Sequence, residues 1–165
     1  MKPPIPGIDR PEVVLANDLL VGKAFVGPRV AVLGGGMVGA EAAEYLADRR
    51  REVTIIEMLD SIATDMPATP RAYLLQRLQQ LGVRIITGAK VEAITDDGVL
   101  VNRNGQRTMV EGFSNYALAM GSKSNDDLVS ELSGVLQDLH VAGDARQVAR
   151  IVDATAQAAE AALQL

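Results

Sequence analysis

Six residues, Gly34-Gly35-Gly36-Met37-Val38-Gly39, restrict what this chain can fold into more than any others. They fit the pattern G-x-G-x-x-G, and they sit where that pattern has physical meaning. Directly before them is the β-branched run Arg29-Val30-Ala31-Val32-Leu33, which reads as a strand buried on both faces. Directly after them, residues 38–49 have helical composition, with Val38, Ala42, Tyr45 and Leu46 near one face. A strand that turns on glycines into a helix offers free N–H groups and the positive end of the helix dipole to an anion. Gly34 allows the tight turn, Gly36 lets a pyrophosphate approach a backbone without a Cβ, and Gly39 permits close helix–strand packing. The stretch from Gly34 through Gly35, Gly36, Met37 and Val38 to Gly39 is therefore expected to be a dinucleotide-binding loop. A glycine run with no ligand is the alternative.

A second strand, Val53-Thr54-Ile55-Ile56-Glu57, ends on an acid at about the 20-residue offset where a carboxylate meets the adenosine ribose. Glu57 would accept hydrogen bonds from ribose hydroxyls and repel a 2′-phosphate, so NAD(H) is expected in preference to NADP(H). Met58, Leu59 and Asp60 supply no arginine for such a phosphate, although Arg71 has the reach to swing toward the site. The alternative for Glu57 is a solvated strand end.

Downstream, Pro70 to Leu81 has Leu74, Leu75, Leu78 and Leu81 at helical spacing, and Gly82 supplies a stop. Val83 to Thr87 then makes a third strand, so residues 29–87 spell β-α-β-α-β. Turn signals at Asp96-Asp97-Gly98 and Asn104-Gly105 predict an antiparallel meander between Lys90 and Glu111. Tyr116 to Ala119 reads as another buried strand, Asp126 to Leu132 as a short helix, Leu139 to Val141 as a strand, and Val148 to Leu165 as a closing helix. A stripe of Ile151, Ala154, Ala158, Ala161 and Leu165 is expected to face a core, with a dimer helix as the alternative. Residues 1–28 read as an irregular lead with a helical stretch near Asn17 to Leu20. The expected class is α/β, a Rossmann-like three-layer fold with a central parallel sheet and an antiparallel β-meander, the FAD/NAD(P)-binding type.

Composition removes other functions. With 165 residues the chain is close to one ordinary domain. A net charge of -5 and a pI near 4.9, with basic residues scattered apart from Arg49-Arg50-Arg51, argue against nucleic acid as a partner. That triplet lies at a helix C-terminus, where positive charge complements the macrodipole. With no cysteine the chain itself ligates no iron–sulfur cluster, and with one histidine, His140, it builds no histidine metal cluster. No metal site is expected, and His140 in its apolar run reads as structural. No stretch resembles a membrane span or a secretory signal, so a cytoplasmic protein with no membrane partner is expected. No acid–base pair or nucleophile stands out, and no catalytic residue is assigned; redox chemistry here requires a borrowed group.

The run Gly34 to Leu46, followed by Val53 to Asp60, closely resembles the NAD(P)H-binding region of flavin-dependent pyridine-nucleotide oxidoreductases, in particular the NADH:flavin oxidoreductase, 2,4-dienoyl-CoA reductase and trimethylamine dehydrogenase group. Pro4 to Asp9, Ala119 to Ser122 and Val141 to Ala145 match as well, so the resemblance covers nearly the whole chain. It implies a nicotinamide domain at 29–121, inserted into an FAD-type domain represented here by a lead and linker at 1–28 and a C-terminal segment at 122–165. It also implies FAD or FMN in the full-length enzyme, an iron–sulfur cluster only in the missing part, and the missing flavin-binding half of the same polypeptide as partner. Apolar surface left bare by that half invites homo-oligomers.

By resemblance, Gly34, Gly36 and Gly39 form the pyrophosphate loop, Glu57 followed by Met58 the ribose end, Glu41 the acid near the nicotinamide carboxamide, and Gly121 a backbone approach beside the dinucleotide. Gly143 and Asp144 resemble the motif whose acid bonds the flavin ribityl chain. An exposed helix position for Glu41 and a turn cap for Asp144 are the alternatives. The chain departs from the group's pattern at Arg50, where relatives carry glycine, so this turn either holds an arginine at positive φ or is reshaped. Phe113-Ser114 and Ser124 are further departures. The function implied is to position NADH for hydride transfer to a flavin, without turnover by this chain alone. A non-catalytic ADP or NAD module and the cofactor domain of a simple dehydrogenase are the other readings.

Overall fold

The β-branched runs become the middle of a sheet because both of their faces find apolar cover. In the computed structural model, which describes residues 3–164, the first compact unit ends at Gly121 and a second begins at Ser122. The first contains five parallel strands: β1 (Val13–Leu15), β2 (Arg29–Leu33), β3 (Glu52–Ile56), β4 (Arg84–Ile86) and, late in the chain, β8 (Asn115–Leu118). Their order is β1-β8-β2-β3-β4. Alternate residues serve opposite layers. Val30, Val32, Val53, Ile55 and Ala117 pack toward α1 (Ala16–Leu20), α2 (Met37–Asp48) and α3 (Ala68–Gln80), burying Leu19, Ala43, Leu46, Leu74 and Leu78. Ala31, Leu33, Ile56, Tyr116 and Leu118 face the meander of β5 (Lys90–Ile94), β6 (Gly98–Arg103) and β7 (Gln106–Glu111). The meander pairs antiparallel in the order β5-β6-β7. This is the three-layer α/β fold expected.

The lead differs from its sequence reading. Val13–Leu15 forms an edge strand in register with Tyr116 to Leu118, and Ala16 and Leu19 are buried. A three-residue strand has too little pattern to announce itself, and only the partner β8, distant in sequence, makes it one. The α3 boundary also moves: the helix starts at Ala68, with Pro67 at its N-cap, and Pro70 lies inside the first turn, where its missing N–H removes no intrahelical bond.

The turn after α2 does hold an arginine in the left-handed region. Arg50 has φ 61°, its N–H donates to Ala47 at 2.9 Å, and the Arg51 N–H donates back to Leu46 at 3.1 Å. These two bonds close a helix in the Schellman manner. Gly82, at φ 72°, closes α3 with the same pair of bonds, Gly82 N–H to Gln79 and Val83 N–H to Leu78. The Arg49 guanidinium lies 3.6 Å over the Tyr45 ring, so this basic cluster is occupied with its own helix end.

In the second unit α4 (Asp127–Leu132) precedes a 3-10 turn at Gly143–Ala145 and α5 (Ile151–Ala162). Leu139–Val141 is not a strand: among the described residues no strand of this unit lies beside it to exchange backbone hydrogen bonds, and apolar residues alone do not make a ladder. The closing helix begins at Ile151 rather than Val148, where the Asp153 carboxylate accepts the Arg150 N–H at 3.1 Å and caps the first turn. Its stripe does not face a core. Ile151 is 85% exposed, Ala158 is exposed and no residue of α5 is buried, because its unit supplies no opposing layer. Leu165, the last position of that stripe, lies outside the described residues. His140 is exposed, not a core side chain.

Candidate functional site

From β2 the chain runs outward through β3 to β4, then returns as β8 on the other side of β2. The strand order reverses there, and the carboxyl ends of β2 and β8 flank the crevice in which open α/β sheets take ligands. A cavity of about 650 Å³ occupies that place. Gly34, Gly36, Glu57, Met58, Met120 and Gly121 are among the residues that line it.

Gly34, at φ 100°, ends β2 by donating its N–H to Ile56 at 2.9 Å. A Cβ there would stand 2.5 Å from the Ala119 carbonyl oxygen, so only glycine fits between β2 and β8. A Cβ at Gly39 would collide with the Gly34 carbonyl oxygen, which is why α2 lies so close to the loop. At Gly35 the space is filled by the side chain of Ile62, 2.6 Å from where a Cβ would be. Gly36 is different. Its φ is -63°, and a Cβ would rest 3.5 Å from the Asp65 carboxylate in ordinary contact, so the protein's own packing does not demand a glycine.

Glu57 is 7% exposed, yet it lines the cavity. Its Oε2 accepts the Gly35 N–H at 2.6 Å and its Oε1 accepts the Leu59 N–H at 2.7 Å. A buried carboxylate is thereby paired with two backbone donors and fixed in direction, rather than being a solvated strand end. Each oxygen retains a lone pair for another donor.

Of the residues singled out from sequence, the cavity gathers Gly34, Gly36, Glu57, Met58 and Gly121. Gly35, Met37 and Gly39 belong to the same turn and the start of α2 and do not line it. Val38, 38% exposed, and Glu41, exposed on α2, do not line the cavity. Gly143 and Asp144 belong to the second unit, where the Gly143 N–H donates to Gln157 Oε1 at 2.8 Å and Asp144 Oδ1 accepts the Ala149 N–H at 3.4 Å. Arg71 does not swing to the site; its Nε donates to the Ile62 carbonyl at 3.0 Å.

Sequence reasoning missed Lys90 and Glu92, which face the cavity from β5, and Pro3 to Ile5 at its edge. No spacing links these to the glycine loop; only the layer of the meander over the sheet does. The Asn102 amide and then the Arg107 guanidinium hold the Glu92 carboxyl below its ordinary pKa, so it stays ionised. Among the described residues no cluster could hold a metal ion, and no helix is long and apolar enough to cross a membrane.

A glycine loop and a fixed carboxylate at a switch point define a dinucleotide-binding α/β protein. Residues 1–158 match the pyridine nucleotide-disulphide oxidoreductase family, and the chain belongs to it. Members of this family bind FAD and NAD(P)H. Over 157 residues the chain is 36% identical to an NADH oxidase of Thermoanaerobacter brockii, covering 93% of this chain and 24% of that protein. The structure of 2-naphthoyl-CoA reductase in complex with 2-naphthoyl-CoA superposes with a TM-score of 0.90 at 25% identity, covering 100% of this chain and 25% of that one. The water-forming NADH oxidase of Lactobacillus brevis bound to NADH gives a TM-score of 0.59 at 26% identity, covering 82% of this chain and 30% of that one. The chain thus spans about a quarter of the length of the curated relative it matches.

Proposed function

We propose that the cavity binds NAD(H) in preference to NADP(H), and that the chain is the nicotinamide-binding part of a flavin-dependent oxidoreductase of the 2,4-dienoyl-CoA reductase and trimethylamine dehydrogenase type. The buried Glu57 carboxylate carries this reading: it is oriented by the Gly35 and Leu59 N–H groups, with lone pairs left beside the cavity. Those lone pairs suit two ribose hydroxyls and oppose a 2′-phosphate. Gly36 supports it too, since a glycine that the fold does not need is accounted for by a phosphate approaching its backbone. The N–H groups at the start of α2 would hold the pyrophosphate, Met58 would cover the adenosine end, and Gly121, with open space where a Cβ would be, would admit the nicotinamide end.

Reduced nicotinamide, when bound, supplies a hydride for a flavin. The protein's share is positioning and water exclusion, and no residue of this chain is assigned as an acid, base or nucleophile. The flavin, FAD or FMN, and any iron–sulfur cluster would belong to polypeptide outside this chain, with Ser122 onward as the returning segment of the flavin domain. Glu41, Gly143 and Asp144 keep family-based roles in that larger protein, and the cytoplasm is its proposed setting, since its electrons come from a reduced dinucleotide.

Calorimetry tests the reading. Glu57→Ala should weaken NADH binding by about 1.5–3 kcal/mol, roughly 10- to 150-fold, while wild type prefers NADH over NADPH. Equal affinity for ADP and NADH would instead identify a structural nucleotide module, and unchanged affinity in the variant would remove Glu57 from the site.

A further inference from the structure

The segment between β3 and α3 is built in two parts. Its base is anchored: Ile62 and Ala63 are buried, the Ala63 N–H donates to the Gly35 carbonyl at 2.7 Å, and Arg71 Nε holds the Ile62 carbonyl at 3.0 Å. Its tip, Thr64 and Asp65, is exposed. From that tip the Asp65 carboxylate reaches back to the glycine loop, where Oδ1 accepts the Met37 N–H at 2.8 Å and Oδ2 stands 3.5 Å from the position of a Gly36 Cβ. Met37 is the first residue of α2, so its N–H is one of the donors the helix leaves unused.

We propose that Asp65 is an internal competitor for the pyrophosphate of the dinucleotide. This rests on the NAD(H) reading above and adds to it a residue that sets affinity by leaving. A carboxylate on the Met37 N–H is a full negative charge at the place a phosphate would occupy, and two anions do not share one donor group at hydrogen-bond distance without mutual repulsion. Binding therefore has to turn Asp65 outward. The exposed tip permits that rotation while the Ile62–Ala63 base keeps its bonds to Gly35 and Arg71. Ligand affinity is lowered by the free energy of breaking the Asp65–Met37 bond, as in any site whose competent conformation is only partly populated.

The competition is with phosphate and not with base or sugar, and this gives the test. NADH, ADP and adenosine are titrated by calorimetry into wild type, Asp65→Asn and Asp65→Ala. Removing the charge should tighten NADH and ADP about 5- to 20-fold and leave adenosine within twofold. Two variants guard against a local folding effect, and the melting temperature of each is measured alongside. ADP affinity that is unchanged or weaker in both variants overturns the proposal and makes Asp65 a mere cap of α2. An equal gain for adenosine also overturns it, because the effect would then be loop loosening. If neither wild type nor variants bind NADH or ADP, the cofactor reading fails and the competitor falls with it; wild-type binding lost in Glu57→Ala keeps that reading standing whatever Asp65 does.

Discussion

Two glycines of one motif, Gly36 and Gly39, are glycines for different reasons, and substitution separates them. Gly39 is fixed by the protein, because a Cβ there collides with the Gly34 carbonyl oxygen, which is backbone and has nowhere to go. Gly39→Ala should cost about 1–3 kcal/mol in urea unfolding, the range of an overpacked interior. Gly36 has an ordinary extended φ and room for a methyl group. Gly36→Ala should leave the unfolding free energy unchanged or slightly higher, while NADH affinity measured on the same sample falls at least tenfold. The reverse pattern would mean that Gly36 serves the fold and not a phosphate. The pattern G-x-G-x-x-G treats both positions alike; the distinction lies in what each would touch.

At the scale of elements, the ends of α2 and α3 form a matched pair. Both close with the same two backbone bonds, but one places Gly82 and the other Arg50 in the left-handed region. For a residue with a Cβ that conformation costs about 1–2 kcal/mol. Arg50 recovers part of this through its charge at the helix C-terminus, about 0.3–1 kcal/mol. Arg50→Gly should therefore raise stability by about 0.5–1 kcal/mol, seen as a rise of roughly 1–4 °C in melting temperature. Gly82→Ala should lower stability by about 1 kcal/mol or more. A destabilised Arg50→Gly would show that the arginine's contacts, not its backbone, dominate that turn. Sequence reading located both helix ends and left the arginine turn with two outcomes, because φ at one residue follows from which neighbours accept its N–H.

For the whole molecule, burial is divided unequally. Every buried residue described lies in the first unit, and from Ser122 to Gln164 there is none. The driving force for a fixed structure scales with apolar area removed from water, so the second unit has little of it. Hydrogen exchange should show strongly protected amides in β2, β3 and β8 and weak protection throughout α4 and α5. Protection of α5 equal to that of β3 would mean that Ile151, Val152 and Leu163, all exposed here, are covered by another surface, a second copy included.

The central strands, α2 and α3, the meander and the glycine loop were legible because each carries a local signature: a continuous β-branched apolar run, apolar spacing near 3.6, turn residues between short strands, glycine where φ or contact demands it, an acid at a strand end. Leu139–Val141 and the α5 stripe carried the same kind of signature and misled, since apolar residues record what a segment is able to bury and not what lies opposite it. Sequence alone determined the order of elements from β2 to β8, the glycine turn after β2 and the acid that follows β3, because these depend on neighbours within a few residues or on a fixed crossover. Tertiary structure alone decided that the lead becomes an edge strand, that Lys90 and Glu92 wall the cavity, that Glu57 is held by Gly35, and that Asp65 sits on the first N–H of α2. Each of those facts is a contact between segments far apart in the chain, and no local pattern encodes a partner that only folding brings near.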